Sequence, residues 1–431
     1  MNRLLSLRPA GVLSTGAIPL LASVLPAPAL LAPVLLATAL VAPALGVPSA
    51  AQAQVAVRGG VVHTMAGPAI EDGVVLIGAD GRIQAVGPAA SVSIPAGFRL
   101  LEAAVVTPGL VDGHSVVGLA GYLNQPHDQD QLERSEAIQP ELRAFDAYNP
   151  REELVGYVRR LGVTTLHTGH GPGALMSGQT MVVKTRGDAV EDAMVDSVTT
   201  VAMTLGPEVS ANYGGRPGTR ARGVALVRAE FLKAQAYRDR AGEGARDLRM
   251  EILGRVLDRE VKVLITAQRA TEILAALRLQ REFGFDLVLD GAAESYLLLD
   301  EIREAGVPVI LHPTMARNSG TLENATLETA VLLREAGIEV ALQSGFEPYV
   351  PKTRVVLFEA AMAAAYGLPF DEALRTITLA PARILGIDDR VGSLEVGKHG
   401  DVALFDGDPF EYLTRVCGVV IEGEVVVEEC F

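Results

Sequence analysis

Short apolar runs alternate with helical stretches through the middle of this 431-residue chain, and this alternation limits the fold more than any other feature. Strands that alternate with helices form parallel sheets, because each helix carries the chain back to the start of the next strand. Eight parallel strands close into a barrel. The sequence therefore predicts an α/β fold, a (β/α)8 TIM barrel. Its predicted strands are Val105–Asp112, Thr164–Thr168, Met181–Lys184, Thr199–Thr204, Lys262–Thr266, Asp286–Leu289, Pro308–Leu311 and Glu339–Leu342.

The helical stretches have the length and the polar–apolar periodicity of surface helices. They are predicted at Pro150–Leu161, Val224–Tyr237, Arg246–Asp258, Thr271–Phe283, Ser295–Ala305, Glu323–Ala336 and Arg354–Tyr366. The long polar segment Gly121–Asn149 follows the first strand and is predicted to be a loop of the active-site end, since loops at the carboxyl ends of barrel strands form the active site.

Both flanks of the barrel region consist of short strands broken by Gly and Pro. Before the barrel they cover residues 55–86, and after it they include Val402–Phe405 and Val416–Val427. Neither flank could bury much surface alone, so the sequence predicts one small β-sandwich domain built from both chain ends. The predicted domains are residues 54–103 together with 385–431 for the sandwich, and residues 104–384 for the barrel.

The first 53 residues have the composition of an export signal. Arg3 and Arg8 precede a long run without charged residues, which ends at Ala51-Gln52-Ala53, a small-x-small cleavage pattern. A membrane anchor is the alternative, because the run exceeds the length that a bilayer requires, but several prolines interrupt it. We therefore predict a signal peptide at residues 1–53 and an exported protein, periplasmic or secreted, that is free of the membrane after cleavage.

The formal net charge of −15 excludes two classes of partner. So acidic a surface repels nucleic acid and anionic lipid, which leaves a small-molecule or peptide-like substrate as the expected partner. The oligomeric state stays open. Cys417 and Cys430 are the only cysteines, and whether they pair also stays open, because two cysteines near one chain end do not make a disulfide scaffold.

Two motifs resemble one known family. Thr107-Pro108-Gly109-Leu110-Val111-Asp112-Gly113-His114 resembles the opening barrel strand of the amidohydrolase superfamily, in its imidazolonepropionase-like branch, where Pro-Gly-Leu-Ile-Asp-x-His-x-His supplies two metal-binding histidines. Gly392-Ser393-Leu394-Glu395-Val396-Gly397-Lys398-His399-Gly400-Asp401 is similar to the return of that branch into its two-part β-sandwich. The resemblance implies a (β/α)8 barrel, a β-sandwich and metal-assisted hydrolysis.

The sequence departs from the family at several ligand positions. Val116 stands where the second histidine of the first motif is expected, and Gln268 stands where the fifth strand should supply a histidine. Gln343 replaces the aspartate that follows the eighth strand in the family, and an amide neither accepts the proton nor carries the charge. Because glutamine and valine cannot replace imidazole and carboxylate as ligands, the usual binuclear centre is not expected.

Histidines nevertheless follow three of the predicted strands, at the end where barrel enzymes place their catalytic groups. Three imidazoles and a water form a workable zinc site. The predicted metal ligands are His114, His170 and His312, for one zinc or other divalent metal. The alternative is that these rings only line a pocket and that no metal binds.

Other polar residues near the strand ends complete the predicted site. A buried carboxylate could act as a base if desolvation raises its pKa. The candidates for that role are Asp112 and Asp290. The predicted substrate-binding residues are His127, His167, Gln343 and Tyr349, although His167 could instead point into the barrel wall.

Two functions are compatible with these residues. The first is an exported hydrolase of the amidohydrolase superfamily that cleaves a C–N bond other than a linear peptide bond, in a cyclic amide or peptide-like substrate, by attack of an activated water. The second is a catalytically degenerate barrel that keeps the pocket and binds a ligand or partner. The missing ligands favour the second, and the histidines at the barrel mouth favour the first.

Overall fold

The computed structural model describes residues 54–123, 125–240, 244–312, 314, 318–345 and 355–431. The predicted signal peptide, residues 1–53, lies outside the described residues. The strands are β1 (Val55–Val62), β2 (Ile70–Ile77), β3 (Ile83–Pro88), β4 (Arg99–Pro108), β5 (Leu110–Ser115), β6 (Val163–Gly169), β7 (Gly178–Lys184), β8 (Met194–Thr204), β9 (Lys262–Ala267), β10 (Leu287–Gly291), β11 (Val309–Leu311), β12 (Val340–Leu342), β13 (Val402–Phe405), β14 (Val416–Ile421) and β15 (Glu424–Val427).

Strands from both flanks share one 7-stranded sheet, in the order β15-β14-β13-β4-β1-β2-β3. The two flanks meet where β13 pairs antiparallel with β4, with Val402 opposite Pro108 and Phe405 opposite Val105. Apolar side chains from both flanks, such as Val57, Val106 and Leu404, are buried in one cluster. The predicted β domain built from both chain ends is therefore confirmed.

The remaining strands form an 8-stranded sheet in the order β12-β11-β10-β9-β8-β7-β6-β5. A bridge between Ser115 and Gly345 brings the two edge strands together, so the sheet is nearly closed into a barrel. All eight predicted barrel strands overlap strands of this sheet. The predicted strand Val105–Asp112, however, covers the end of β4 and the start of β5, because the chain passes from one sheet to the other at Gly109. A Cβ at Gly109 would lie 2.2 Å from Thr164 Oγ1, so only glycine fits this crossing.

One strand of the barrel departs from the predicted parallel order. β7 runs antiparallel to both β6 and β8. Strand β6 is joined to β7 by the segment His170–Ser177, which is too short for a helical crossover. Lys184, at the end of β7, consequently lies at the opposite end of the barrel from the ends of its neighbours, where its Nζ donates to Asp401 and, at 3.2 Å, to Thr165 Oγ1.

The helices pack against the barrel strands, and most overlap the predicted ones. They are α1 (Glu153–Arg160), α2 (Val190–Ala193), α3 (Glu208–Asn212), α4 (Arg220–Asp239), α5 (Leu248–Leu257), α6 (Ala270–Phe283), α7 (Leu299–Ala305), α8 (Thr329–Glu335), α9 (Val356–Ala365), α10 (Phe370–Arg375) and α11 (Leu379–Leu385). Helix α11 contributes Ala380 and Ile384 to a cluster with Leu264, Val288 and Ile310 of the barrel strands. None of the helices in the described part of the chain is long and apolar enough to span a bilayer.

Cys417 and Cys430 form a disulfide that ties β14 to the C-terminal segment. The sequence left this pairing open, because it carries no information on how near the two sulfur atoms come. The structure brings the two residues together because the chain after β15 returns to β14, where the Phe431 N–H donates to the Val416 carbonyl at 2.9 Å.

Candidate functional site

His114, near the end of β5, forms a buried pair with Asp290 of β10. The His114 side chain is 3% exposed, and its Nδ1 lies 3.0 Å from Asp290 Oδ1. Among the described residues, nothing makes a hydrogen bond to its Nε2, which is also buried. An imidazole held through Nδ1 by a carboxylate, with Nε2 uncommitted, has the arrangement of a general base.

Asp290 is held in place by three donors. In addition to the His114 ring, Gln343 Nε2 donates to Asp290 Oδ1 at 2.6 Å, and Thr266 Oγ1 donates to Oδ2 at 2.5 Å. Burial alone would raise the pKa of Asp290, but the charge of His114 and these hydrogen bonds lower it below its ordinary value. An ionised carboxylate with three donors is a poor proton acceptor. The structure thus gives the predicted base Asp290 the geometry of a residue that orients His114.

The same pair shifts the pKa of His114 upward. Burial alone would lower it, but the charge and hydrogen bond of Asp290 raise it above the ordinary 6.5, with smaller effects from Asp112 and the His170 carbonyl. The pair with Asp290 therefore favours the protonated form of the His114 ring.

A cavity of about 180 Å³ adjoins this pair at the carboxyl ends of the barrel strands. His114, Asp290, Thr266 and Gln343 line it together with His312. Its other walls are formed by Ser115, Val116, Pro172, Gln268, Gly291, Leu322 and Gly345. The predicted residues His114, Asp290, His312 and Gln343 are therefore brought together. Gln343 uses its amide group to hold Asp290 and the Ile310 carbonyl, which gives it a positioning contact besides the predicted contact with substrate.

His167 does not have the substrate-binding position that was predicted. It is fully buried, and both ring nitrogens are occupied: Nδ1 lies 2.6 Å from the Gly113 carbonyl and Nε2 lies 2.7 Å from Thr180 Oγ1. Burial, together with the charge of His114, lowers its pKa to about 3, so the ring is neutral. His167 ties β5 to β7 and does not line the cavity, although its ring centroid lies 5.5 Å from that of His114.

His170 directly follows β6, which ends at Gly169, and it does not line the cavity. Its ring lies against Gly178, where a Cβ would lie 2.4 Å from it. Neither ring nitrogen has a hydrogen-bond partner in the described part of the chain, and burial lowers the pKa of His170 to about 4.

The structure does not bring the predicted zinc ligands His114, His170 and His312 together, so zinc binding stays a prediction. Within the described residues, no three histidine, cysteine or carboxylate ligand atoms at the barrel mouth lie within 4.8 Å of one another. His312 does line the cavity, but its Nδ1 lies 3.2 Å from the Gln343 carbonyl. A zinc ion requires ligand nitrogens about 2.0–2.1 Å from one common point.

The second predicted base, Asp112, has a structural role. It is 1% exposed and does not line the cavity. Its Oδ1 accepts a hydrogen bond from the Ser344 N–H at 2.9 Å, and its Oδ2 accepts one from the Ser344 hydroxyl. Burial raises the pKa of Asp112 to about 6 despite these bonds. Asp112 thus joins β5 to the segment after β12, where the barrel closes.

Two predicted substrate-binding residues are not part of this cavity as described. His127 is exposed in a short 3-10 helix, Pro126–Asp128, away from the cavity walls. Tyr349 lies outside the described residues.

Thr266 lines the cavity but was not singled out from the sequence. It lies on β9, two residues before Gln268. Side chains two residues apart along a strand point to the same side, and this period was the signal in the sequence that could have identified Thr266.

The fold and the site define a class of protein, an α/β-barrel hydrolase with a satellite β domain, and comparisons with known proteins agree. A family model described as "Amidohydrolase family" matches residues 219–427. Amidohydrolase tasK of Hapsidospora irregularis is 27% identical over 372 residues, which is 78% of this chain and 38% of that protein. The imidazolonepropionase of Shewanella baltica is 27% identical over 369 residues, 76% of this chain and 85% of the relative.

A crystal structure of an amidohydrolase from Thermotoga maritima matches the fold with a TM-score of 0.81 at 28% identity, covering 87% of this chain and 100% of the other. These matches support the amidohydrolase superfamily, in its imidazolonepropionase-like branch, as the family that the chain resembles.

Relatives in this superfamily hold divalent metals, and an adenosine deaminase from Xanthomonas campestris with the same fold contains zinc (TM-score 0.52, 17% identity). The donors in the described part of the chain do not fit such a group. His114 offers only Nε2, both nitrogens of His167 are engaged, and His170 does not line the cavity. Val116, Gln268 and Gln343 stand at the other ligand positions of the family. The imidazole groups that line the cavity are therefore His114, through its Nε2, and His312.

Proposed function

We propose that the protein is an exported hydrolase that cleaves a C–N bond other than a linear peptide bond, in a small cyclic amide or peptide-like substrate. The observation that carries this proposal is the buried His114–Asp290 pair beside the cavity at the strand ends, with His114 Nε2 uncommitted. The resemblance to the amidohydrolase superfamily and the similarity to imidazolonepropionases support the class of bond.

The chemistry needs one base that later acts as an acid. His114 Nε2 takes a proton from a water molecule as the water oxygen bonds to the substrate carbonyl carbon. The same nitrogen then returns the proton to the leaving nitrogen as the C–N bond breaks, so the products are a carboxylic acid and an amine. Asp290 keeps the Nδ1 proton in place and stabilises the imidazolium that forms between the two steps.

This route uses no divalent metal, and the donor set supports that part of the proposal. A water that is activated by imidazole alone is a weaker nucleophile than a metal-bound hydroxide. We therefore expect slow turnover and substrates with strained or activated C–N bonds. The cavity of about 180 Å³ favours a small reacting group.

Export is proposed on two grounds. The first 53 residues have the composition of a signal peptide, and the Cys417–Cys430 disulfide suits an oxidising compartment. A small organic substrate suits the strongly acidic surface, which disfavours nucleic acid and anionic lipid as partners.

The test is hydrolysis of a panel of cyclic amides and ureides in ¹⁸O-labelled water, with mass spectrometry of the products. We expect one ¹⁸O atom in the new carboxyl group and no loss of rate after dialysis against a chelator. His114→Ala should lower the rate about 10²–10⁴-fold. His63→Ala, which changes a histidine directly after β1 that does not line the cavity, is the matched control and should leave the rate unchanged.

The second candidate is a barrel that binds a ligand without turnover, which the missing metal ligands favour. It would be supported if panel compounds bind with saturation by calorimetry but yield no labelled product. Loss of the rate on chelation, with recovery on adding zinc, would instead contradict the metal-free route.

A further inference from the structure

Most hydrogen-bond donors of the cavity at the strand ends are already used within the protein. Thr266 Oγ1 donates to Asp290 at 2.5 Å. The amide nitrogen of Gln343 donates to Asp290 at 2.6 Å and to the Ile310 carbonyl at 3.1 Å, so both of its hydrogens are committed. The side chain of Gln268, which directly follows β9, lines the same cavity and is placed differently.

A backbone contact fixes the orientation of the Gln268 amide group. The Ala293 N–H donates to Gln268 Oε1 at 3.2 Å. Because an N–H can only donate, the atom that it meets is the amide oxygen, and the orientation of the NH2 group follows from that. In the described part of the chain, Gln268 Nε2 donates to no protein atom. The protein therefore holds one donor of the cavity wall in a set direction and makes no internal use of it.

The turn after β10 has an unusual backbone that places this amide against the wall of the cavity. Gly291 and Ala292 both have a positive φ, 74° and 49°. This conformation suits glycine, whereas an alanine adopts it only at a cost, and such strained positions cluster at functional sites. A Cβ at Gly291 would overlap Gln268 Nε2. Gly291 lines the cavity and directly follows Asp290, so the amide nitrogen lies close to the His114–Asp290 pair.

We propose that Gln268 is a further catalytic residue of the hydrolysis proposed above, on which this inference rests, and that its Nε2 donates a hydrogen bond to the carbonyl oxygen of the reacting amide. Negative charge grows on that oxygen as the water oxygen bonds to the carbonyl carbon. The charge returns to the C=O bond when the C–N bond breaks, and no proton moves to or from Gln268. A fixed donor stabilises this charge without reorganisation during the reaction.

The remaining walls of the cavity favour this role. Val116, Pro172 and Leu322 add apolar surface to the same cavity. A hydrogen bond is stronger where apolar groups keep water away, and the same surface suits the ring carbons of a cyclic amide. Since the donors in the described part of the chain do not fit a metal ion, the Gln268 amide supplies the polarisation of the carbonyl group in this site.

The test uses 2-pyrrolidinone labelled with ¹³C at its carbonyl carbon, bound to the full chain with His114→Ala, which leaves the amide uncleaved. The measurement is the infrared carbonyl band of the bound probe. A hydrogen bond weakens the C=O bond, so the band should lie at a lower frequency in this protein than in the double variant His114→Ala/Gln268→Met. Gln268→Glu at pH 8 keeps an acceptor for the Ala293 N–H and has no donor, so it should give the higher frequency as well.

The rate provides a second measurement, with any compound of the panel that the otherwise unchanged protein hydrolyses. Gln268→Met should lower kcat about 10²–10³-fold and change KM by less than about threefold, because the hydrogen bond strengthens in the transition state. Gln280→Met is the matched control. Gln280 is a half-buried residue of α6 that does not line the cavity, so the same substitution there should leave the band and the rate unchanged.

The possible results separate this inference from the proposed hydrolysis. Hydrolysis at a rate that neither Gln268→Met nor Gln268→Glu lowers would overturn the role of Gln268 and leave the hydrolysis in place. A band that depends on Gln268, in a protein without turnover, would support the hydrogen bond and contradict the hydrolysis. The inference is also overturned if the probe shows no saturable binding or if its band is the same with and without Gln268.

Discussion

At the residue scale, Asp112 and Asp290 are both almost fully buried, yet their surroundings shift their pKa values in opposite directions. Burial is the largest single effect on Asp290, but the charge of the His114 ring and the hydrogen bonds of His114, Thr266 and Gln343 together outweigh it. Asp112 meets mainly the neutral donors of Ser344, so burial prevails and its pKa rises to about 6. Equal burial thus gives one carboxylate that holds a charged partner and one that resists ionisation.

The first prediction concerns the pKa of His114. Its base form is the reactive one, so kcat/KM should rise with pH through a pKa above 6.5. Asp290→Asn removes the charge that raises this pKa, so the rise should move to lower pH while the maximum rate falls. The measurement is a pH–rate profile, or a ring-proton NMR titration of His114 where no substrate is in hand.

Asp286→Asn is the control for this prediction, because Asp286 lies just before β10, at its other end. This variant should keep the wild-type profile. If the profile of Asp290→Asn coincides with that of the wild type, Asp290 does not set the proton affinity of His114.

The second prediction concerns Asp112 and the closure of the barrel. Asp112→Ala leaves the buried Ser344 N–H without its acceptor, so it should lower the free energy of unfolding by roughly 1–3 kcal/mol in urea denaturation. Asp112→Asn keeps an acceptor and should lower it less.

The raised pKa of Asp112 predicts how the stability effect of Asp112→Asn depends on pH. Because the folded-state pKa of about 6 exceeds the ordinary 3.8, the wild type loses stability from this group as the pH rises from 3.8 through 6. Asparagine does not titrate, so the penalty of Asp112→Asn should be smaller at pH 7 than at pH 4.5. An equal penalty at both values would show that Asp112 titrates normally in the folded protein.

At the element scale, the reversed strand β7 connects the barrel to the β domain. Its last residue, Lys184, is 2% exposed and pairs with Asp401, which precedes β13 and is 4% exposed. Asp401 also accepts the Glu422 N–H at 2.9 Å, so one carboxylate joins β7, β13 and the turn after β14. A parallel β7 would have placed this lysine at the other end of the barrel.

The third prediction tests this connection. Lys184→Met leaves Asp401 buried without its cation and should lower the free energy of unfolding by roughly 3–5 kcal/mol. Adding Asp401→Asn removes the unpaired charge and keeps an acceptor for the Glu422 N–H, so the double variant should be more stable than Lys184→Met alone. Urea denaturation of the two single variants and the double variant gives the coupling energy. Additive effects would mean that the two groups do not interact.

At the scale of the whole molecule, the disulfide and the predicted leader concern the same question, which compartment the protein occupies. Disulfides persist outside the reducing cytoplasm, and the Cys417–Cys430 pair closes the C-terminal segment onto the β domain. Export and oxidation should therefore occur together.

The fourth prediction is that the mature protein begins at or near Gln54 and contains no free thiol. N-terminal sequencing and mass spectrometry after alkylation without reductant measure both properties on one sample. Reduction before alkylation is the control and should add two alkyl groups, one for each cysteine. An intact Met1 in the membrane fraction would favour the anchor instead.

Much of the fold was predictable because it depends on local patterns. The apolar runs marked all eight barrel strands, and the matching flanks predicted a shared β domain, since burial of apolar surface requires such segments to pair. The direction of β7 was not predictable from the run Met181–Lys184 itself. It depends on the short link after β6, and the strand sequence alone carries no direction.

The site was predictable in part for the same reason. The sequence by itself determined that His114, Asp290, His312 and Gln343 would stand at strand ends, because strand position follows from local periodicity. Only the tertiary structure decided that His114 pairs with Asp290, that both ring nitrogens of His167 are engaged, that His170 does not line the cavity and that, within the described residues, no three ligand atoms converge there. These outcomes depend on strand register, barrel closure and side-chain direction to within about 1 Å, which are set by contacts between residues far apart in the chain.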